Sequence, residues 1–396
     1  MALSLAIIVL FGLVFNKAFD HLSLPGLLGM LVLGVVIGPY GFDLMSQELL
    51  TISPDLRKIA LIVILIRAGL GLKKDTLKKI GIPAVRMSFI PGLLEGFTIM
   101  FVASYLLDVS IIEAGMLAFI IAAVSPAVIV PQMLNLINKN KGADKGVPTL
   151  VLAGASIDDI IAITLFSTFL GFHGGQSVNL TWKLLNIPIS IILGIVLGVG
   201  IAFFLIYLFK KYHMRDTKKV LLILSLAIFL NVGEEFLQDI VGIASLLGVM
   251  TIGFIIMEKY QEVGQRLAAK FNKIWVFAEL LLFVLIGAEV DINLALESGL
   301  LGLLIISVGL VARSIGVLIS LINTDFNWRE RMFCVIAYLP KATVQAAIGA
   351  VPLAAGVESG ELILAFAVLS IIITAPLGAL GIKLTGNRWL ADASVS

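Results

Sequence analysis

Apolar residues fall in long blocks, and polar and charged residues are confined to the short gaps between them. A membrane-spanning helix needs roughly 17–25 mostly apolar residues. Thirteen blocks fit, with ends good to a few residues: 2–16, 23–40, 58–72, 81–106, 110–138, 147–172, 184–209, 219–233, 240–257, 274–290, 298–322, 330–355 and 361–382. The fifth and twelfth are long and carry internal prolines. The pattern predicts an all-α integral membrane protein with thirteen transmembrane helices. No gap is long enough for a soluble domain; the longest, near 258–273, is expected to be a short amphipathic linker.

Positive charge gives an independent check, because Lys and Arg gather in cytoplasmic loops. Numbering the loops from the N-terminus, the odd ones hold 21 Lys and Arg, and the even ones hold Arg57, Lys58 and Lys183. A wrong count would scramble this alternation. It places the N-terminus outside and the C-terminus in the cytoplasm.

The bulk composition agrees. Of 396 residues, 60% are hydrophobic and 14% charged, against about 25% charged in soluble domains. Mean hydropathy is +1.09. Membrane lipid is therefore the expected surrounding of much of the chain. One cysteine, Cys334, excludes an intrachain disulfide and a zinc cluster, and His21, His173 and His213 all lie near loops. No cofactor is expected. The opening MALSLAIIVLFGLVF lacks the positive start of a cleaved signal and reads as the first span.

The two halves repeat. LPGLLGMLVLGVVIG (24–38) parallels IASLLGVMTIGFIIM (243–257), VILIRAGLGL (63–72) parallels LFVLIGAEVDI (282–292), and SPAVIVP (125–131) parallels LPKATVQ (339–345). Each pair is seven spans apart. An odd offset makes the partners cross in opposite directions. Inverted repeats with interrupted helices mark secondary transporters with a midplane site, a class whose known examples include a sodium/proton antiporter. The expected division is 1–172 as the first repeat, 173–217 as a linking span and 218–396 as the second repeat.

Several charges lie inside the blocks. Arg86 is near a cytoplasmic end and can snorkel; Arg67 can do the same or pair with Glu279. Glu95, Asp158, Asp159, Arg313 and Lys341 are near the middle of their spans. An ionised group there costs about 2.5–3.5 kcal/mol on insertion scales. The five must converge on one another or on a wet cavity, and Glu95 and Arg313, in corresponding spans of the two repeats, are the expected pair. Consecutive Asp158 and Asp159 point about 100° apart on one helix. Pro126, Pro131 and Pro340 are read as helix breaks, which free carbonyls and aim half-helix partial charges at a site. Ser125 offers a hydroxyl beside the first break, and Lys341 an ammonium at the second.

With GASIDDIIAI (154–163), SPAVIVP (125–131), VARSIGV (311–317) and LPKATVQAA (339–347), the chain resembles the second branch of the cation/proton antiporter superfamily. Within it the chain looks like the NHA-type sodium/proton exchangers, the solute carrier 9B group. The resemblance covers essentially the whole chain. It implies a homodimer, with spans 1, 2, 8 and 9 for dimerisation and a moving core of spans 3–6 and 10–13. It also implies Asp158 and Asp159 as the ion and proton site, Asp159 foremost as cation ligand, with Ser125 nearby and Lys341 where the broken helices cross. Several electrogenic antiporters have Lys where this chain has Arg313. Arginine keeps its proton in proteins, so Arg313 cannot carry one.

The reading that follows is Na⁺ (or Li⁺)/H⁺ antiport in a plasma membrane of the bacterial inner-membrane type. K⁺/H⁺ exchange and, further off, a sodium/organic-anion symporter on the same fold are the alternatives; a midplane acidic pair disfavours anions. An intramembrane aspartyl protease needs aspartates facing each other from two helices, and an inverted repeat disfavours a channel. Neither nucleic acid nor the nucleotide-binding domain of related potassium-efflux proteins is expected as a partner.

Overall fold

A computed structural model describes residues 1–22, 24–72, 74–173, 180–237, 242–291, 293 and 299–392. Lys73 and Ile292, and the side chains of Lys79 and Lys183, which entered the loop and repeat arguments, lie outside the described residues or side chains. The first half is α1 (Ala2–His21), α2 (Gly26–Ile37), α3 (Gln47–Gly71), α4 (Lys74–Leu106), α5 (Ile111–Ala122), α6 (Pro126–Asn138) and α7 (Val147–His173). After α8 (Leu180–Lys211) come α9 (Asp216–Leu237), α10 (Ser245–Lys259), α11 (Gln261–Ala288), α12 (Gly299–Ser320), α13 (Trp328–Ala337), α14 (Thr343–Ile348), α15 (Val351–Ala354) and α16 (Gly360–Trp389). Every apolar block falls on one of these helices or on a broken set. Among the described residues, eight helical segments are long and apolar enough to cross a membrane.

Two expectations change. The 258–273 linker is a helix: Tyr260 alone separates α10 from α11. The cause is its spacing, since Val263, Gly264, Leu267 and Phe271 are buried while Glu262, Arg266 and Lys270 are exposed. One stripe therefore packs and extends the spanning helix. Pro131 does not break a helix; it lies inside α6. It removes one ladder bond, whereas the true interruption is upstream at 123–125. Pro126 then opens α6 at N1, where a missing N–H costs nothing.

Close helix approaches are set by glycine. A methyl on Gly34 of α2 would stand 2.8 Å from Gly287 Cα of α11, and one on Gly253 of α10 would stand 2.9 Å from Leu70 N, beside Gly69 of α3. Small residues let backbones touch where lipid supplies no hydrophobic drive between helices. Large apolar side chains such as Leu10, Phe101, Phe203, Phe229 and Leu300 remain exposed on the outer helices, as a lipid-facing surface requires.

Candidate functional site

Two broken helices cross at the centre. The first is α5, an extended stretch at 123–125, then α6; the second is α13, a stretch at 338–342, then α14. Ser125 N–H donates to Pro340 O at 2.8 Å, which joins the two interruptions directly. Breaking α5 leaves its last carbonyls without helical partners. Three buried side chains supply them. Gln345 Nε2 donates to Ile120 O (2.8 Å) and Ala123 O (2.9 Å), Arg313 Nη2 to Ala122 O, and Lys341 Nζ to the same oxygen at 3.4 Å. The two cations also answer the partial negative charge of a helix C-terminus.

The sequence-predicted charges converge here. Glu95 on α4, Arg313 on α12 and Lys341 in the second break are all 0% exposed, which forces each to find a partner. Glu95 Oε2 accepts from Arg313 Nε and from Lys341 Nζ (2.6 Å). Arg313 Nη2 reaches Asp158 Oδ2 at 3.3 Å. The same oxygen accepts Val124 N–H at 2.9 Å, so Asp158 pins the first extended stretch. Lys341 N–H donates to Thr374 Oγ1 on α16 at 2.8 Å.

Asp159 is placed differently. The helical step turns it away from Arg313, and no ion pair reaches it among the described residues. Its Oδ1 is buried without a hydrogen-bond partner. It lines a cavity of about 480 Å³ together with Pro126, Ile160, Thr343 and Val344. The cavity runs up to Pro54, Arg57 and Lys58 on α3 and is walled opposite by Asn231, Glu234 and Ser245. A second cavity of about 240 Å³ lies on the other side of the crossing, lined by Asn16, Asp20, Gln132, Lys139, Glu279 and Lys383.

The predicted residues are not all brought together. Ser125 is fully buried and does not line the cavity; its hydroxyl sits 3.4 Å from that of Thr343, which does. Arg67 donates its hydrogen bond to Asn272, with Glu279 close enough to act on its charge, and Arg86 turns to Ile322 O at 3.2 Å on an exposed surface. Arg57, counted as a loop charge, lies within α3 and pairs with Glu289 at 3.1 Å. Thr343, Gln345 and Tyr338 were missed. For Gln345 the signal was present: a glutamine in the middle of an apolar span costs less to bury than a charge but still demands hydrogen-bond partners.

Such a site can bind a small bare cation or a proton. It offers one uncompensated carboxylate beside hydroxyls and a helix break. No group of three or more His, Cys, Asp and Glu able to hold a metal occurs among the described residues.

Comparison with known proteins gives the family and the fold. A family model described as the transmembrane sodium/hydrogen exchanger matches residues 5–387. Human sodium/hydrogen exchanger 9B2 is 40% identical over 387 residues, covering 93% of this chain and 70% of the relative. Human sodium/hydrogen exchanger 9B1 is 34% identical over 382 residues, covering 93% and 73%. The solved structure of the sodium proton antiporter MjNhaP1 from Methanocaldococcus jannaschii at pH 8 superposes with a TM-score of 0.77 at 20% identity, covering 97% of each chain, and shares the fold. The chain is an integral membrane protein of the sodium/hydrogen exchanger family, a family of transporters rather than enzymes that needs no cofactor.

Proposed function

We propose that the protein exchanges Na⁺ (or Li⁺) for H⁺ by alternating access at Asp158 and Asp159. One observation carries this reading: among the described residues, Asp159 alone of the three central carboxylates has no cationic partner, and it lines a cavity. With all five ionised, Glu95, Asp158 and Asp159 give three negative charges and Arg313 and Lys341 two positive. The cluster is one positive charge short. One Na⁺ or one H⁺ neutralises it, and a neutral cluster crosses the low-dielectric barrier most cheaply. Both together would overfill it, so the two ions compete. Thr343 is the hydroxyl best placed to help Asp159 hold Na⁺, with Ser125 supporting Thr343 from behind.

The wider frame belongs to the same proposal. Thirteen crossings in two inverted repeats, 1–172 and 218–396 joined by 173–217, put the N-terminus outside and the C-terminus in the cytoplasm. Two features support the repeats: both crossing helices are broken, and Gly34 meets Gly287 much as Gly253 meets Gly69. In that orientation the Asp159 cavity opens toward the outer side and the smaller cavity lies inside, an outward-facing state. We place the protein in a plasma membrane of the bacterial inner-membrane type, as a homodimer through spans 1, 2, 8 and 9 with the remaining core mobile.

The test is flux in proteoliposomes of the purified protein under an imposed pH gradient, with Na⁺, Li⁺ and K⁺ supplied in turn. Na⁺- or Li⁺-driven proton movement is expected. Movement with K⁺ alone would turn the reading to K⁺/H⁺ exchange, and movement with none of the three would end it.

A further inference from the structure

Asp158 has one oxygen well supplied and one bare. Oδ2 accepts from Val124 N–H and Arg313 Nη2, while Oδ1 is buried with no partner. A fully buried carboxylate oxygen left unserved is costly. Oδ1 points toward α4 at Gly92, where an added methyl would stand only 2.8 Å from it. The absence of a side chain at that position leaves the oxygen its space.

Tyr338 shows the complementary lack. It caps α13 as the first residue of the second break and is 0% exposed. The Arg313 guanidinium lies over its ring, 5.8 Å from the centroid. Its hydroxyl has no partner, and neither has Arg313 Nη1. The hydroxyl rests on Gly154 so closely that a methyl there would overlap it. Gly154 and Asp158 are four residues apart on α7, hence on one face and one turn apart. A phenol usually finds a hydrogen-bond partner when buried. A helical turn rises about 5.4 Å, longer than a direct hydrogen bond and within the span of one bridging water, and a buried water takes about three polar partners.

We propose that Tyr338 is a positioning residue for Asp158: through one enclosed water its hydroxyl serves the carboxylate oxygen that Val124 and Arg313 leave bare. This keeps Asp158 charged and fixed, so that Asp159 is where Na⁺ and H⁺ compete. The inference rests on the exchange reading above, but its test does not. The groups that bear on the hydroxyl are Asp158 on α7, Arg313 on α12 and the Cys334 thiol on α13 itself, with Glu95 and Lys341 beyond Arg313.

Tyr338→Phe keeps the ring beneath Arg313 and removes only the hydroxyl. Infrared difference spectra of the detergent-purified protein across pH, with the Asp158 band identified by its loss in Asp158→Asn, read the carboxylate without needing transport. In a monodisperse Tyr338→Phe protein the Asp158 band is expected to protonate at higher pH than in the parent, by roughly one unit, the worth of one hydrogen bond to a charge. The acid limb of the pH–exchange profile should move the same way. An Asp158 band that titrates as in the parent, or that titrates in neither protein, overturns the proposal whatever the flux. A failure of Na⁺ exchange in the parent would instead strike the functional reading and leave the infrared result to stand alone.

Discussion

Glu95 is the keystone of the central cluster, and Glu95→Ala should show it. Its Oε2 holds both Arg313 and Lys341, and all three side chains are 0% exposed. Removing it strands buried Lys341 and takes one of two carboxylates from buried Arg313. Arg313 keeps Asp158 and Ala122 O, while Lys341 keeps only a 3.4 Å contact with Ala122 O. Breaking one buried pair by deleting a partner costs about 3–5 kcal/mol; here the loss should lie at the upper end. With about 2–4 °C per kcal/mol for domains of moderate size and less for longer chains, the melting temperature should fall by roughly 5–10 °C. Size-exclusion chromatography after heating, read by fluorescence in detergent, measures this. Glu95→Gln keeps the volume and should recover little, because the amide cannot neutralise Lys341. Glu95→Gln combined with Lys341→Met removes the stranded ammonium and should recover a substantial part. If Glu95→Ala and Arg313→Ala add to within about 0.5 kcal/mol in a double-mutant cycle, the two side chains do not interact and the reasoning fails.

Other consequences are as direct. Asp158→Asn should lower both stability and exchange, since it weakens the bonds to Arg313 and Val124 N–H; unchanged stability in the same melting assay would contradict those contacts. Gln345→Leu leaves the Ile120 and Ala123 carbonyls unserved and should cost about 1–3 kcal/mol, again read by melting. A C-terminal tag should be reached by reagents only from the cytoplasmic side, and labelling from outside would refute the orientation. If Arg313 and Lys341 stay charged throughout, exchange is one for one and electroneutral; a sustained Na⁺-dependent current on a solid-supported membrane would show otherwise.

Much of this was legible in the sequence because lipid makes charge expensive. Glu95, Asp158, Asp159, Arg313 and Lys341 stood out by cost alone, and the Glu95–Arg313 pair followed from their matching places in the two halves. The breaks were legible through Pro126 and Pro340. Pro131 misled because a proline inside a helix removes one bond without dictating where the chain unwinds. The amphipathic character of 258–273 was legible, but not that its stripe through Val263, Leu267 and Phe271 continues unbroken into the spanning part of α11. Gln345 was legible as a polar group inside an apolar span and was passed over, while Thr343 and Tyr338 escaped because their roles lie in contacts between distant spans, where spacing along one helix says nothing. The different fates of Asp158 and Asp159 were half visible: the 100° between them was plain, but which one meets Arg313 depends on the packing of α4, α7 and α12.

The central claim is that Na⁺ and H⁺ compete for Asp159. Initial rates of Na⁺/H⁺ exchange in proteoliposomes, measured against Na⁺ concentration at a series of pH values, test it most directly. Competition at one carboxylate predicts that the Na⁺ concentration for half-maximal rate rises as pH falls, approaching about tenfold per unit once protons dominate the site. It also predicts that monodisperse Asp159→Asn carries no exchange at any Na⁺ concentration or pH. A half-maximal Na⁺ concentration that does not change with pH, or normal exchange by Asp159→Asn, would contradict the account.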